Sequence, residues 1–600
     1  MSMPSTPTRA LLLAVLLALL TALSLPPEAE AQPDRGSFTV TDVMIPVSDS
    51  TRLHGRLYRP ASDSARPTIF SMTPYTVDDA HEYGRYFASR GYVYLNVDVR
   101  GRGASDGTFR PLVGTDGADG AAVARWVAQQ PWSDGRVAMR GHSYRGIVQW
   151  QILAEGAEPL RSAVPTAANY PGYDFPSHHG IFYSYAARWL SLVRERAHQG
   201  ALFDDTGYWS GKYRALHTSG RPFQDLADMA GLSLRSAAIF KEWTRHPHLD
   251  DYWQAPSPDP ADYRGLDRPI LTVTGHFDGA QPGALHYYRK HMQHGAAQGP
   301  QQHYLLMGPW GHFGTRTPTK EHRGLTFADT AAIDMKRLHL KWYDWVLKEG
   351  TKPEMLSGRV VYYVMGADRW RAAPSLEAVA DTSRTFYLQS HDSNPDDPFD
   401  AGQLLIQSPE EPDTDQYVYN PRDTAGFKTL QSMQRSLTAP GAAFLDGPKL
   451  IYHSAPVEAS FELAGQMRLD AWIELDVPDT DLAAWVYEIR PTGRAIHLGN
   501  TRLRARHRLG VDTTALAEPG RVERYRFDTF HWTARRVQAG SRIRLVIAPL
   551  NDPAWQKNYQ SGKPVMQQSV EDARTATVKL HLGPDRPSKL VLPMRFGGGR

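Results

Sequence analysis

The chain has 600 residues, of which 41% are hydrophobic and 22% charged, the composition of a folded protein large enough for more than one domain. Its 67 Lys and Arg against 64 Asp and Glu leave a formal charge of +3, so nucleic acid is not an expected partner. Cys is absent, which excludes disulfides, thiolate metal sites and a cysteine nucleophile. Any catalytic chemistry therefore has to use Ser, His and carboxylate side chains.

The N-terminal residues have the pattern of a secretory signal peptide. Arg9 precedes an apolar run over residues 10–20, and Ala29-Glu30-Ala31 offers small residues where a signal peptidase reads. A membrane anchor is the alternative, but the run is shorter than the roughly 20 apolar residues that cross a bilayer. We therefore expect residues 1–31 to be removed near Gln32, leaving a secreted or periplasmic protein without a membrane attachment.

Residues 32–168 alternate short buried strands with helical stretches, a pattern typical of a parallel α/β sheet. The predicted strands are residues 68–72, 93–97 and 136–140, and the predicted helix covers residues 116–130. This helix lies between the second and third of these strands, and Asp116 or Thr115 is placed to cap it.

Residues 169–262 lose the strand pattern and become rich in Trp, Tyr, Arg and His at helical spacing, as in Trp189, Val193 and Arg196. We interpret this segment as a helical cap inserted into the α/β domain. The strand pattern then resumes over residues 263–352, with predicted strands at residues 269–274 and 304–307 and a helix from about Ala331.

From residue 353 onwards the hydrophobic period changes to two. Residues 467–475 and 543–547 alternate apolar with polar side chains, and Pro, Gly and Asp turns separate many such segments. Residues 353–600 are therefore predicted to form an antiparallel sandwich, most simply a jelly roll.

The segment Gly141-His142-Ser143-Tyr144-Arg145-Gly146 lies between a predicted strand and a predicted helix. A sharp strand-to-helix turn exposes its central side chain at the carboxyl edge of a sheet, and glycines relieve crowding there. Ser143 is therefore a candidate nucleophile, although a serine between glycines is also common as a plain turn residue.

This string resembles the G-x-S-Y-x-G motif of the CocE/NonD family of α/β-hydrolases, a group of serine esterases, α-amino-acid ester hydrolases, acylases and X-prolyl dipeptidyl peptidases. The resemblance covers most of the chain after residue 43. It implies an α/β-hydrolase fold with a cap and a C-terminal jelly roll that packs on the hydrolase domain and helps to wall the pocket, a serine hydrolase mechanism and no cofactor. The other matching stretches are residues 53–60, 73–75, 91–92, 98–107 and 130–137.

Two further residues complete a candidate triad. Asp278 follows one predicted strand and His312 follows another, and loops after parallel strands meet at one edge of the sheet. His312 would accept the proton of Ser143, and Asp278 would orient the imidazole. Asp267 and Asp262 are alternative acids, and His312 could instead be a buried structural histidine.

An oxyanion hole needs preorganised hydrogen-bond donors. The backbone N–H of Tyr144 is the first expected donor because it follows the nucleophile. The resemblance implies that the phenol of Tyr75 is the second donor, although Tyr75 could equally be a core aromatic residue.

The histidine-rich stretches of the cap admit a metal-binding interpretation, but the chain lacks an H-E-x-x-H sequence, so packing or pocket roles are preferred and no metal is expected. These stretches are His178-His179 and His246-Pro247-His248 with Asp250-Asp251. Asp98, Arg100 and Arg102 are interpreted as loop scaffolding, and Asp116 and Asp119 as helix-start residues.

The substrate is expected to be a small molecule with a neutral or aromatic acyl group, cleaved at an ester or amide bond. The family's α-amino-acid ester hydrolases hold an ammonium group with acids after the triad Asp, whereas here Gly279-Ala280-Gln281-Pro282 follows Asp278. Asp174 is the one candidate substitute, so amino-ester hydrolase and X-prolyl dipeptidyl peptidase activities remain alternatives. Further candidate pocket residues are Tyr183, Trp189 and Trp209.

A different class of function also stays open. The chain could be a secreted binding protein that uses the jelly roll, with a catalytically inactive hydrolase half. Retention of Ser143, Asp278, His312 and Tyr75 together favours an enzyme. The sequence predicts neither the oligomeric state nor the natural substrate.

Overall fold

A computed structural model describes residues 36–390, 393–397, 399–424, 437–440 and 447–596. The predicted signal peptide, residues 1–31, lies outside these residues. Across the described ranges, every helix is too short or too polar to cross a membrane.

The first part of the chain folds around one ten-stranded sheet. Its strands are β1 (Phe38–Pro46), β2 (Arg52–Pro60), β3 (Arg66–Thr73), β4 (Val93–Asp98), β5 (Ser133–His142), β6 (Leu160–Thr166), β7 (Ile270–Phe277), β8 (His303–Gly311), β9 (Val360–Val364) and β10 (Arg369–Ala373). They lie in the order β1-β2-β4-β3-β5-β6-β7-β8-β9-β10. From β4 to β9 all neighbours are parallel, and β1, β2 and β10 pair antiparallel at the edges. The parallel sheet that the sequence pattern predicts is thus confirmed.

The helices are α1 (His81–Ala88), α2 (Asp116–Ala128), α3 (Tyr144–Ala154), α4 (Tyr185–Leu192), α5 (Gly200–Asp204), α6 (Thr206–Ser219), α7 (Leu226–Met229), α8 (Leu234–Trp243), α9 (Asp251–Gln254), α10 (Pro260–Gly265), α11 (Gln281–His294), α12 (Gln298–Gln301) and α13 (Met335–Lys348). Apolar residues of α2 and α3 share one core with the sheet, and those of α1 and α13 share another. Because alternate residues of β4 enter the two cores, the sheet is covered on both faces.

The sheet extends further along the chain than the hydrophobic pattern suggests. Both β9 and β10 come after residue 352, where the change of period places the start of the C-terminal domain. Every residue of β9 is buried, and β9 pairs in parallel with β8, so it is an inner strand of the hydrolase sheet.

Helices α4 to α10 form the cap between β6 and β7. The predicted helix through Trp189, Val193 and Arg196 ends at Leu192. The carbonyl groups that follow bind the guanidinium of Arg102 instead of continuing the helix: Arg102 Nη1 donates to Val193 O at 2.8 Å and Arg102 Nη2 to Ala197 O at 3.1 Å.

The C-terminal part is a β-sandwich with a single main apolar core. Its described strands are Thr382–Gln389, Gly402–Leu405, Asp413–Tyr419, Thr438–Pro440, Leu450–Ser454, Phe461–Gly465, Arg468–Leu475, Asp481–Ile489, Arg494–Arg504, Val522–Phe527, Thr533–Val537, Arg542–Pro549, Ala576–Leu582 and Lys589–Arg595. It packs directly on the hydrolase sheet, since Ala464, Trp532 and Ala534 share a core with residues of β8, β9 and α11.

Candidate active site

Three polar residues each follow the last residue of a parallel strand. Ser143 follows β5, Asp278 follows β7 and His312 follows β8. The carboxyl ends of these strands lie at the same edge of the sheet, which brings the three side chains together. His312 Nε2 lies 3.0 Å from Ser143 Oγ, and His312 Nδ1 lies 2.8 Å from Asp278 Oδ1.

Ser143 has a strained backbone, with φ of 63° and ψ of −124°. The flanking glycines make this turn possible. A Cβ at Gly141 would lie 2.5 Å from Arg145 O, and a Cβ at Gly146 would lie 2.9 Å from Ala168 Cβ. The turn therefore holds the hydroxyl of Ser143 at the N-terminus of α3, as expected of a nucleophile elbow.

The carboxylate of Asp278 is completely buried and accepts several hydrogen bonds. Oδ2 accepts the hydroxyl proton of Thr274 at 2.9 Å, and Oδ1 accepts the N–H of Ala280 at 2.9 Å in addition to His312. These hydrogen bonds fix the position of the carboxylate beside His312. With Nδ1–H of His312 donating to it, Nε2 is left as the acceptor that faces Ser143.

Two neighbouring residues hold the backbone of His312. Its carbonyl accepts hydrogen bonds from His142 Nε2 at 2.8 Å and from Thr315 Oγ1 at 2.7 Å. Burial, together with the nearby His312, lowers the pKa of His142 well below its usual range. His142 is therefore neutral and places no charge beside the imidazole of His312.

Tyr75 lies beside Ser143. Its hydroxyl accepts a hydrogen bond from the indole N–H of Trp189 at 3.2 Å, so its own proton stays available for donation. Burial raises the pKa of Tyr75, while hydrogen bonds with Trp189 and Ser143 act in the opposite direction. The N–H of Tyr144 is in the first turn of α3, where backbone N–H groups have no intrahelical acceptor.

The side chain of Tyr144 has a buried partner that the sequence pattern does not indicate. Its hydroxyl donates to Asp116 Oδ2 at 2.6 Å, and burial raises the pKa of Asp116 to about 7. Asp116 does begin α2, but the N-cap residue Thr115 makes no side-chain capping bond. Asp116 thus supports the residue after Ser143, a role that helix-start patterning cannot reveal.

Ser143 and His312 open into a cavity of about 320 Å³ between the sheet edge and the cap, while Asp278 lies buried behind His312. This volume suits a small ligand. Its wall is mostly apolar and aromatic, and the polar side chains away from Ser143 include Asn169, Asp174, Tyr183 and Tyr185. The cavity is lined by Leu112, Ser143, Tyr144, Ile147, Asn169, Asp174, Phe175, Tyr183, Tyr185, Trp189, Gly279, Ala280, His312 and Phe313.

The structure brings three of the four candidate pocket residues, Asp174, Tyr183 and Trp189, to this cavity. Trp209 lies elsewhere: its ring is buried within the cap, and its indole N–H donates to Leu202 O at 2.8 Å. Ile147 and Phe313, which are not among the candidate residues predicted from the sequence, also line the cavity. Their positions in the sequence could have indicated this. Ile147 lies four residues after Ser143, on the same face of α3, and Phe313 directly follows His312.

The other candidate residues lie away from Ser143. Asp262 belongs to the capping box of α10, and Asp267 is exposed beside Arg268. Among the described residues, no three His, Asp or Glu side chains are arranged to hold a metal ion.

Comparisons with known proteins identify the family of the chain. Residues 49–314 match the X-Pro dipeptidyl-peptidase (S15) family, and residues 355–591 match the X-Pro dipeptidyl-peptidase C-terminal non-catalytic domain. The chain is 26% identical over 592 residues to the cocaine esterase of Rhodococcus sp. (strain MB1 Bresler), covering 93% of this chain and 99% of that protein.

Solved structures show the same fold over nearly the whole chain. An α-amino-acid ester hydrolase superposes with a TM-score of 0.79 at 21% identity. The match covers 95% of this chain and 100% of that chain. An aminopeptidase from a marine sediment archaeon, Thaumarchaeota archaeon, gives a TM-score of 0.78 at 20% identity over 95% of this chain and 98% of that one. The chain belongs to the CocE/NonD family of α/β-hydrolases and is a serine hydrolase of the S15 and cocaine esterase type, an esterase or a peptidase.

Proposed function

We propose that this protein is a carboxylesterase or acylase that hydrolyses ester or amide bonds of small, neutral acyl groups through a covalent acyl-enzyme. The observation that carries the proposal is the continuous hydrogen-bonded relay from Ser143 through His312 to Asp278 at the wall of an apolar cavity. A catalytically inactive binding protein would have no use for this relay.

In the first half of the reaction, Ser143 Oγ attacks the carbonyl carbon of the substrate while His312 Nε2 takes its proton. The buried carboxylate of Asp278 stabilises the imidazolium that forms. The N–H of Tyr144 and the O–H of Tyr75 are the donors proposed for the oxyanion. His312 then protonates the departing alcohol or amine as the bond to the carbonyl carbon breaks, leaving the acyl group on Ser143.

Water completes the reaction by the same route. His312 Nε2 takes a proton from water, and the oxygen attacks the acyl carbon. The tetrahedral intermediate then collapses, Ser143 leaves with the proton from His312, and the carboxylic acid product is released. All steps use groups of the chain and one water molecule.

The preference for neutral acyl groups rests on the state of Asp174. Its Oδ1 accepts the N–H of Tyr170 at 2.7 Å, and its Oδ2 accepts the N–H of Gly283 at 2.8 Å. The carboxylate of Asp174 thus links Tyr170, at the start of the cap, to Gly283 in α11, and both of its oxygens are already occupied. Burial also raises the pKa of Asp174 well above its usual range, which weakens it as a partner for an ammonium group.

X-Pro dipeptidyl peptidase or α-amino-acid ester hydrolase activity is the second candidate. The match of residues 49–314 to the S15 family favours it, as does the position of Asp174 on the cavity wall. These reactions need a group that holds a free ammonium, and Asp174 is the one acid that lines the described cavity.

A substrate panel separates these possibilities. Wild type and Ser143→Ala are each assayed for hydrolysis of five substrates. These are the acetyl, butyryl, phenylacetyl and α-amino-acyl esters of p-nitrophenol, and Ala-Pro-p-nitroanilide. We expect turnover of the neutral esters that disappears in Ser143→Ala. Preference for the amino-acyl ester or the anilide would favour the second candidate, and no Ser143-dependent turnover would contradict the proposal.

We also propose that the protein is exported, because Arg9, the apolar run of residues 10–20 and Ala29-Glu30-Ala31 match a cleavable signal. N-terminal sequencing of protein from an export-competent host should find a new terminus near Gln32. A terminus at Met1 in a membrane fraction would indicate an anchor instead.

A further inference from the structure

One buried amide ties the loop of Asp278 to the C-terminal sandwich. Gln281 begins α11 and is 1% exposed. Its Oε1 accepts the backbone N–H of Trp532 at 2.7 Å, and its Nε2 donates to Trp532 O at 2.8 Å and to Gly275 O at 3.0 Å. The amide group therefore uses both of its N–H donors and its oxygen, and its side chain pairs with Trp532 as a neighbouring strand would.

The same loop fixes the carboxylate of Asp278. The backbone N–H of Gln281 donates to Asp278 O at 3.0 Å, and the N–H of Ala280 donates to Asp278 Oδ1 at 2.9 Å. Gln281 thus holds the segment of residues 275–281 at two points. Its side chain binds Gly275 O at the start of the segment, and its backbone N–H binds Asp278 O near the end. A shift of Gln281 moves the carboxylate that orients His312.

The sandwich side of this contact is well anchored. Trp532 is 2% exposed and directly precedes the strand Thr533–Val537. Its ring stacks on that of His276, with centroids 5.6 Å apart and planes 13° apart. His276 in turn makes a 2.7 Å hydrogen bond through Nε2 to Tyr363 O in β9. The backbone of Trp532 is therefore a fixed reference for Gln281.

We infer that Gln281 is a positioning residue for the hydrolase reaction, through which the C-terminal sandwich sets the hydrogen bond between Asp278 and His312. The inference rests on the proposed function for its catalytic consequence. It assigns the sandwich a specific contribution to the reacting groups, although every residue that lines the described cavity belongs to the hydrolase domain or the cap.

The test replaces Gln281 by a side chain of similar shape without hydrogen-bonding groups. We expect Gln281→Met to lower kcat by about 10-fold to 100-fold, as small misplacements of reacting groups do, with KM changed less than about twofold. The low-field proton NMR resonance of the His312–Asp278 hydrogen bond should shift or disappear. Should the Met variant fold poorly, Gln281→Asn keeps an amide but shortens the side chain by one methylene, and it should lower kcat in the same direction.

The matched control is Asn551→Leu, which removes a 2.8 Å hydrogen bond between Asn551 Oδ1 and His217 Nε2 that also joins the sandwich to the rest of the protein. It should lower the melting temperature without changing kcat or the resonance. Unchanged kcat and resonance in Gln281→Met, or an equal loss in Asn551→Leu, would overturn the inference. Because the resonance needs no substrate, a wild type that shows it but cleaves no ester contradicts the proposed function alone.

Discussion

The indole N–H of Trp189 in the cap donates a hydrogen bond to the hydroxyl of Tyr75, a loop residue at the edge of the sheet, at 3.2 Å. The two rings come from different parts of the fold, the cap helix α4 and the loop after β3. The hydrogen bond therefore makes the cap a direct support of the group proposed to donate to the oxyanion.

Tyr75→Phe removes one of the two proposed oxyanion donors while keeping the aromatic ring. We expect kcat for a neutral p-nitrophenyl ester to fall by about 100-fold to 1,000-fold, because that is the usual effect of losing one such donor. Steady-state kinetics checks this. Trp189→Phe removes the indole N–H that supports Tyr75 while keeping an aromatic ring in the cavity wall, and it should lower kcat less than Tyr75→Phe. Equal kcat in Tyr75→Phe and wild type would assign Tyr75 to packing.

Arg102 connects the Tyr75 loop to the cap. It is completely buried, and its Nε donates to Pro74 O at 2.6 Å while its other nitrogens bind the carbonyl groups after α4. Lys has one ammonium group in place of the several N–H donors of the guanidinium, so Arg102→Lys leaves buried carbonyl groups without a hydrogen bond. Each unpaired carbonyl should lower the free energy of unfolding by about 1–3 kcal/mol.

The predicted effect of Arg102→Lys on catalysis is a lower kcat, because the Tyr75 loop loses its attachment. Arg100→Lys is the matched control, since Arg100 lies two residues away and pairs with Asp119 and Asp49 rather than with the cap. Urea unfolding and ester kinetics on both variants test the prediction. A larger loss of kcat in Arg100→Lys than in Arg102→Lys would refute it.

The sequence predicts the triad because each of its residues follows a strand of strong hydrophobic character, and parallel strands bring their carboxyl ends together. It cannot predict which buried aromatic residue faces the cavity, because helical spacing indicates burial and not the partner. Trp189 and Trp209 have similar patterns, yet one lines the cavity and the other packs inside the cap. Long-range contacts such as Asp116 with Tyr144 leave no local pattern either.

Asp174→Asn distinguishes a structural carboxylate from an ammonium site. An Asn side chain has one carbonyl oxygen, so either Tyr170 N–H or Gly283 N–H would face an NH₂ group, and the melting temperature should fall. The ratio of kcat/KM for the α-amino-acyl ester to that for the butyryl ester should stay within about twofold of wild type. A selective loss of the amino-acyl ester would show that Asp174 binds the ammonium.

Stability should fall steeply in mild acid because several histidines are buried in their neutral form. Burial lowers the pKa values of His339, His497 and His217 to about 3 from an ordinary value of 6.5. Between these values the unfolded chain binds more protons than the folded one, so the stabilisation is complete above about pH 6.5 and is lost as the pH falls.

Urea unfolding at a series of pH values from neutral to mildly acidic measures this slope. His339 offers the sharpest single test, because neither of its ring nitrogens has a hydrogen-bond partner among the described residues. His339→Leu should flatten the pH dependence of the unfolding free energy. A slope identical to wild type would mean that His339 titrates normally.

Covalent labelling shows whether Ser143 is the nucleophile. The protein is treated with a fluorophosphonate, its intact mass is measured, and the modified peptide is mapped. We expect one adduct per chain on Ser143, displacement of fluoride, parallel loss of ester hydrolysis, and no adduct in Ser143→Ala. Full ester hydrolysis without an adduct, or an adduct on another serine with the same loss of activity, would contradict this expectation.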